Sequence, residues 1–281
     1  RFETHVLRTY LREVVRQDAQ LAGVQLPEAL LEREVSAYLR DAGPWLQALD
    51  AYASGRFEDA LRLYNEALPR ARSKSSLRAE RGRLFAHVGN NASAQAEFAL
   101  ALEEMRKEDQ RNLVFLYESK ALTEHGVGML HERMGQGGPA REAYGRALTE
   151  DLAFYPAHLR LGVMALAAGD TATALSELDL AALAAGSDAA VLYTYGAVLA
   201  QLGRLDQAAE HLTRASQVAP HYADPHLAMG VVHDGQGNVA GALESYRAFL
   251  ARASANHRRR AVAEQRVAAL AAETTQAAVA P

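Results

Sequence analysis

Residues 189–222 read AAVLYTYGAVLAQLGRLDQAAEHLTRASQVAPHY, and the fold is decided inside that stretch. Leu192, Tyr195, Gly196 and Leu199 stand at i, i+3, i+4 and i+7, the spacing that puts four side chains on one face of a helix. Gly203 then ends the helix as a residue able to take a positive φ. Ala208, Leu212 and Ala215 repeat the pattern on a returning helix, and Pro220 closes the unit. Gly196 and Ala208 are small because the two helices cross there, and the side chains at a crossing set the interaxial distance within about 8 to 10 Å.

The same pattern extends outward in both directions. Gly128, Gly162, Gly196 and Gly230 recur every 34 residues, and Ala140, Ala174, Ala208 and Ala242 keep the same interval. Gly135, Gly169, Gly203 and Gly237 keep it as well, with no insertion between them. A fixed period of this length marks a repeat architecture in which each unit packs only on its neighbours. Function must therefore be sought on a surface.

The layout of large apolar residue, Leu-Gly, aromatic, Gly turn, Ala, aromatic, Ala and Pro resembles the tetratricopeptide repeat. Steps of 34 place units at 41–74, 75–108, 121–154, 155–188, 189–222 and 223–256. Gly55, Phe57, Ala60, Tyr64, Ala67 and Leu68 mark the first; Gly82, Phe85, Gly89, Ala94, Phe98 and Ala101 mark the second. Ala48 stands where the first unit would carry glycine, and Phe249 where the last would carry a small alanine. His131 and His233 take sites that are usually aromatic. The resemblance implies an all-α, right-handed superhelical solenoid of helical hairpins with helical caps.

Residues 1–40 are expected to be an N-terminal cap of two amphipathic helices, since terminal repeats need their open apolar ends covered. Phe2, Val6, Tyr10 and Val14 form one stripe, and Leu30, Leu31, Val35, Tyr38 and Leu39 follow Pro27. Units 1 and 2 fill 41–108, units 3 to 6 fill 121–256, a solvated capping helix follows at 257–273, and 274–281 reads as a mobile tail. Residues 109–120 are an insertion with two readings. It lengthens the next helix, or Leu113, Val114, Phe115, Leu116 and Tyr117, too apolar for one helical face, form a docking contact.

Composition narrows the function classes. The formal net charge is −4, from 30 basic and 34 acidic side chains, so no global field draws the chain to nucleic acid or an anionic bilayer. No cysteine is present, which excludes disulfides, thiolate zinc sites and cysteine nucleophiles. The cysteine-free composition leans towards a bacterial cell envelope, periplasmic or membrane-associated. No apolar run reaches the roughly 18 to 20 residues of a membrane span, and an upstream anchor before Arg1 stays open. Oligomeric state is left open too.

Candidate chemistry is sparse. His221, His226 and His233 invite a metal reading, but His226 shares its repeat position with His158 and His233 with His131, which points to packing. Gly135-Gln136-Gly137-Gly138 has the glycines of a phosphate loop without its strand or Lys-Ser/Thr partner. The basic cluster Arg70, Arg72, Lys74, Arg78, Arg81 and Arg83 reads as a solvated surface with no interleaved aromatics. Trp45, after Pro44, is expected at a helix start, buried against the cap. No nucleophile, oriented base and oxyanion donor occur together, so neither an enzyme nor a cofactor is expected, an enzyme subunit being only the remote alternative.

In the family that the repeats resemble, the first helices of the units line a concave groove. The corresponding positions here are Ala79, Arg83, His125, Met129, Arg133, Leu159, Arg160, Val163, Leu166, Tyr193, Ala197, Leu227 and Val231. Leu159 with Val163, or Tyr193 with Ala197, cannot donate the hydrogen bonds by which some members clamp a chaperone's terminal carboxylate. The expected partner is a protein, met as an extended apolar peptide or amphipathic helix, with Arg83, Arg133 or Arg160 setting direction. The expected role is a scaffold or adaptor, with an architectural subunit held by its convex face as the alternative.

Overall fold

At Gly203 the backbone takes φ 74°, and two hydrogen bonds fold the chain back: the Gly203 N–H donates to the Ala200 carbonyl (3.0 Å) and the Arg204 N–H to the Leu199 carbonyl (2.9 Å). This is the Schellman arrangement, which satisfies carbonyls that the helix end leaves without partners. The same pair of bonds recurs at Gly55, Gly89, Gly135, Gly169 and Gly237. Side chains then cap the returning helices: Asp170 accepts from the Thr173 N–H, and Asn238 from the Gly241 N–H.

The computed structural model describes residues 2–21, 23, 25, 27–71, 73–111 and 119–279. Among them the regular structure is helical: α1 (Phe2–Leu21), α2 (Glu28–Ala53), α3 (Phe57–Ala67), a 3₁₀ turn (Leu68–Arg70), α4 (Lys74–His87), α5 (Asn91–Arg111), α6 (Ala121–Arg133), α7 (Gly137–Glu150), α8 (Tyr155–Ala167), α9 (Thr171–Ala185), α10 (Ala189–Gln201), α11 (Leu205–Val218), α12 (Asp224–Gly235), α13 (Val239–Arg252) and α14 (Arg260–Val279). The chain is, among the described residues, all-α and built of helical hairpins. It divides into two compact units, 1–143 and 144–281.

In the first unit α2 pairs with α3 and α4 with α5, and α6 lies on α5. Ala48, Ala51, Ala60, Leu63, Tyr64, Ala67, Leu77 and Leu84 form its main core. Ala94, Phe98 and Leu130 form a second, where the Phe98 ring fills the space left by Gly82 and Gly126. Arg8, Arg12 and Arg16 of α1 meet Glu28 and Glu32 of α2 in a ladder of part-exposed ion pairs.

In the second unit α8 pairs with α9, α10 with α11 and α12 with α13, and α14 packs on α13. Leu178, Tyr195, Val198, Leu199, Ala208, Leu212 and Val232 are its central core. Phe249, in place of the usual small residue, is fully buried, edge-on to His257 at 5.1 Å, in a cluster with Ala263 and Leu270 of α14. The large ring there fills the space under α14.

The structure departs from the sequence expectations at four places. The break at residues 40 and 41 is absent: α2 runs unbroken from Glu28 to Ala53, with Pro44 inside it. Proline removes one helical hydrogen bond, but packing on α3 outweighs that loss. Trp45 is consequently mid-helix, half-buried against the first hairpin's core rather than against a cap.

The insertion does not lengthen the next helix from its described side. Asp109, Gln110 and Arg111 continue α5, and α6 begins only at Ala121. Buried Lys120 pairs with Asp109 and so ties the two ends. Leu113, Val114, Phe115, Leu116 and Tyr117 lie outside the described residues. The expected tail at 274–281 is helical through Val279, in line with the high helix propensity of its alanines and glutamine.

Half of the basic cluster is not freely solvated: Arg70 and Lys74 are exposed and Arg72 lies outside the described residues, but the other three arginines are held. Arg78 reaches Glu104 (3.0 Å) and Glu97 (3.5 Å), Arg81 reaches Glu97 (3.4 Å), and Arg83 grips Glu80 through two nitrogens (2.5 and 3.3 Å). Glutamates one turn away or on α5 neutralise charges that the linear sequence groups together.

Candidate functional site

Two first helices of the second unit build a cleft of about 510 Å³. Tyr193 and Ala197 of α10, one turn apart, face Leu227 and Val231 of α12, which hold the same repeat positions 34 residues on. Ala200, Gln201 and Ala228 complete the helical walls, Tyr246 of α13 contributes from behind, and Arg259 and Val262 close one side. Val231 is 53% and Val262 62% exposed, a large apolar exposure for two branched side chains beside one cleft. Tyr193 is braced edge-on by Tyr222 at 5.5 Å.

The electrostatics there are quiet. Burial pushes the Tyr222 hydroxyl up to about 12, Asp224 and Tyr193 adding to the shift and Arg259 opposing it, so the ring stays neutral. Burial likewise holds the His226 ring below its usual range. Behind the cleft, Arg266 grips Asp234 with two nitrogens (2.7 and 3.0 Å), and the Tyr246 hydroxyl donates to the same carboxylate (2.9 Å). That knot fixes α12, α13 and α14 to one another and so fixes the walls.

The first unit carries a smaller cavity of about 170 Å³. Arg83 of α4 and His125, Met129 and Arg133 of α6 line it, as do Tyr52, His87, Phe98 and Leu122. Tyr52 and His87 of its lining meet Phe57 and each other in tilted and edge-on contacts, with ring centroids 4.6 to 5.9 Å apart. One buried Arg83 nitrogen, Nη1, has no hydrogen-bond partner.

The groove positions read from the sequence thus fall into two sets. Arg83, His125, Met129 and Arg133 meet around one cavity, and Tyr193, Ala197, Leu227 and Val231 around the other. Leu159, Arg160, Val163 and Leu166 of α8 are not among the residues lining the α10–α12 cleft; Leu159 and Leu166 pack instead on the core around Tyr195 and Val198. Ala79 is buried. Tyr52, His87, Phe98, Tyr246, Arg259 and Val262 are not among the groove positions read from the sequence, because they lie on second helices, helix ends or the terminal helix. Helical periodicity reports one face of one helix and is silent about which other element closes over it.

Among the described residues, no group of three or more His, Asp or Glu side chains is placed to hold a metal ion. His158 is buried with Nδ1 2.7 Å from a Glu177 oxygen and Nε2 3.0 Å from the Leu152 carbonyl, so both ring nitrogens are engaged. The Asn238 side chain lies 3.4 Å from His233 Nδ1, and the Gln136 side chain 2.7 Å from His131 Nδ1, so both rings are tied to the turn that follows them. No described helix is long and apolar enough to cross a membrane.

A family model for the tetratricopeptide repeat matches residues 46–109, 128–190 and 196–257. The chain belongs to the tetratricopeptide repeat family, a fold that serves protein–protein interaction, and no catalytic family is among the matches. A search of curated protein sequences finds no match. Among solved structures, the chain is similar to PilW, a widely conserved type IV pilus biogenesis factor, at TM-score 0.61 and 17% identity, over 75% of this chain and 92% of PilW. It is also similar to YrrB, a tetratricopeptide repeat protein with an unusual peptide-binding site, at TM-score 0.51 and 20% identity, over 72% of this chain and 97% of YrrB. PilF of Pseudomonas aeruginosa matches at TM-score 0.61 and 15% identity, over 75% of this chain and 91% of PilF. At these identities the likeness speaks to the fold.

Proposed function

We propose that the protein is a non-enzymatic scaffold or adaptor that binds a partner protein's amphipathic helix or extended apolar segment in the α10–α12 cleft, with the Arg83–Arg133 cavity as a second contact. The observation that carries this reading is the cleft itself. Tyr193, Leu227, Val231 and Val262 line a volume of about 510 Å³, with more than half of each valine exposed. Burying such surface gives about 25 cal/mol per Å² before the costs of ordering the partner. A bacterial envelope assembly is the setting we propose, resting on the cysteine-free composition.

The test is a double substitution, Tyr193→Ala with Val231→Asp. Partners copurifying with the native chain are identified by mass spectrometry and the affinity of each is then measured. Helicity should be retained while affinity falls by at least roughly tenfold. Helicity and affinity both unchanged would show that the cleft is not the site.

A second reading is favoured by Leu152 and Leu183, 81% and 78% exposed, the first in the turn after α7 and the second in the last turn of α9, neither lining the cleft. It makes the chain an architectural subunit held by its convex face and caps instead of its groove. Crosslinks mapping to α9 and α11 rather than α10 and α12 would select it.

A further inference from the structure

The α10–α12 cleft is apolar on its helical walls but carries a single formal charge, Arg259, at the side closed by the terminal helix. Arg259 is exposed, and its guanidinium has no ion-pair or hydrogen-bond partner among the described residues. Two nearby arginines of α14 are committed elsewhere. Arg260 donates to the Leu250 and Ala253 carbonyls and pairs with Glu264, and Arg266 is locked to Asp234. The nearby carboxylate of Asp224 is 3.3 Å from His257. Arg83, in the first unit's cavity, already grips Glu80. Arg259 is thus a free cation at the edge of an apolar trough, with Val262, one helical turn away, forming part of the same wall.

We propose that the start of the C-terminal helix is part of the binding surface, and that Arg259 selects partner segments carrying an Asp or Glu immediately beside their apolar residues. This rests on the cleft being the binding site and adds its selectivity. Apolar contact with Tyr193, Leu227 and Val231 supplies area without direction, because an apolar segment can lie either way along a trough. One guanidinium at one side breaks that symmetry: a carboxylate on the segment can meet it in one orientation, through a charge-assisted hydrogen bond. The terminal helix is then more than a lid over the last hairpin's core. The knot of Arg266, Asp234 and Tyr246 holds it against α12 and α13 and so sets where Arg259 stands.

The test is selection from a phage-displayed library of short random peptides on the full chain and on three variants, Val231→Asp, Arg259→Glu and Arg258→Glu, each shown by circular dichroism to be folded. Selected peptides should be apolar with an acidic residue enriched at one end. On Arg259→Glu that residue should change to Lys or Arg, and synthetic acidic peptides should bind roughly tenfold more weakly. Arg258→Glu, also exposed and next in sequence, should keep the acidic preference. Peptides that are lost on Val231→Asp but show no acidic preference, or one indifferent to Arg259→Glu, would overturn the role of Arg259 and leave the cleft standing. Selection unaffected by Val231→Asp would overturn both.

Discussion

Gly196 of α10 lies directly against Leu212 of α11: a methyl group added at Gly196 would sit 2.8 Å from the leucine's Cγ and 3.3 Å from the Ala208 carbonyl oxygen. Gly162 faces Leu178 at 2.8 Å in the preceding hairpin and Gly230 faces Tyr246 at 2.6 Å in the next. One device therefore closes three successive hairpins of the second unit.

The Gly196→Ala substitution should overpack that crossing and cost about 1 to 3 kcal/mol in urea unfolding. Gly145, in the middle of α7 and exposed, has nothing within 4 Å of where a methyl would stand. Gly145→Ala should therefore stabilise by about 0.5 to 1 kcal/mol, the helical cost of glycine relative to alanine. Equal effects at the two positions would contradict the assigned crossing.

Buried Glu97 serves two part-buried arginines at once, Arg78 and Arg81. Glu97→Gln leaves Arg81 short of counter-charge in a poorly hydrated site while Arg78 keeps Glu104, at a cost of about 1 to 3 kcal/mol. Glu103 pairs with Lys107 on the exposed side of the same helix, and its replacement by Gln should leave the melting curve unchanged.

The Arg266 guanidinium beside Asp234, helped by the Tyr246 hydroxyl, holds that carboxyl below the usual carboxylate range. Its folded pKa is depressed, so its contribution is present above the unfolded value, about 3.9, and is lost as pH falls through the folded value. Asp234→Asn should weaken the grip at neutral pH. Hydrogen exchange followed by mass spectrometry should show faster exchange in α14 with α10 and α11 unchanged; unaltered protection in α14 would sink the idea.

Burial holds both His211 and His226 below the ordinary histidine range. The unfolded chain then takes up protons first, so these rings cost nothing above about pH 6.5 and destabilise progressively as pH falls below it. Replacing both with Gln should reduce the loss of Tm between about pH 7 and about pH 5. A variant with the wild-type slope would show that these two rings do not set it.

The repeat was legible in the sequence because it is written in small residues that only a close helix crossing requires. Gly196, Ala208 and Gly203 carry crossing, return and turn in a single unit, and their spacing is local chemistry. The same logic misjudged α2, where the proline at 44 suggested a start, because the benefit of packing on α3 is not visible from α2 alone. It also took Arg78 and Arg81 for a solvated patch, since their glutamate lies on the returning helix.

What the chain's linear order determined is therefore the period, the helical character and the face each helix turns to its partner, all of which act within a few turns. Tertiary structure alone decided which walls enclose a cavity. Tyr193 and Leu227 can be paired from their 34-residue spacing, but Tyr246, Arg259 and Val262 reach the same cleft from other elements, through packing of α13 and α14 that no periodicity encodes. Whether a cation is free or already held is likewise a matter of distance in space, and that separates Arg259 from Arg83.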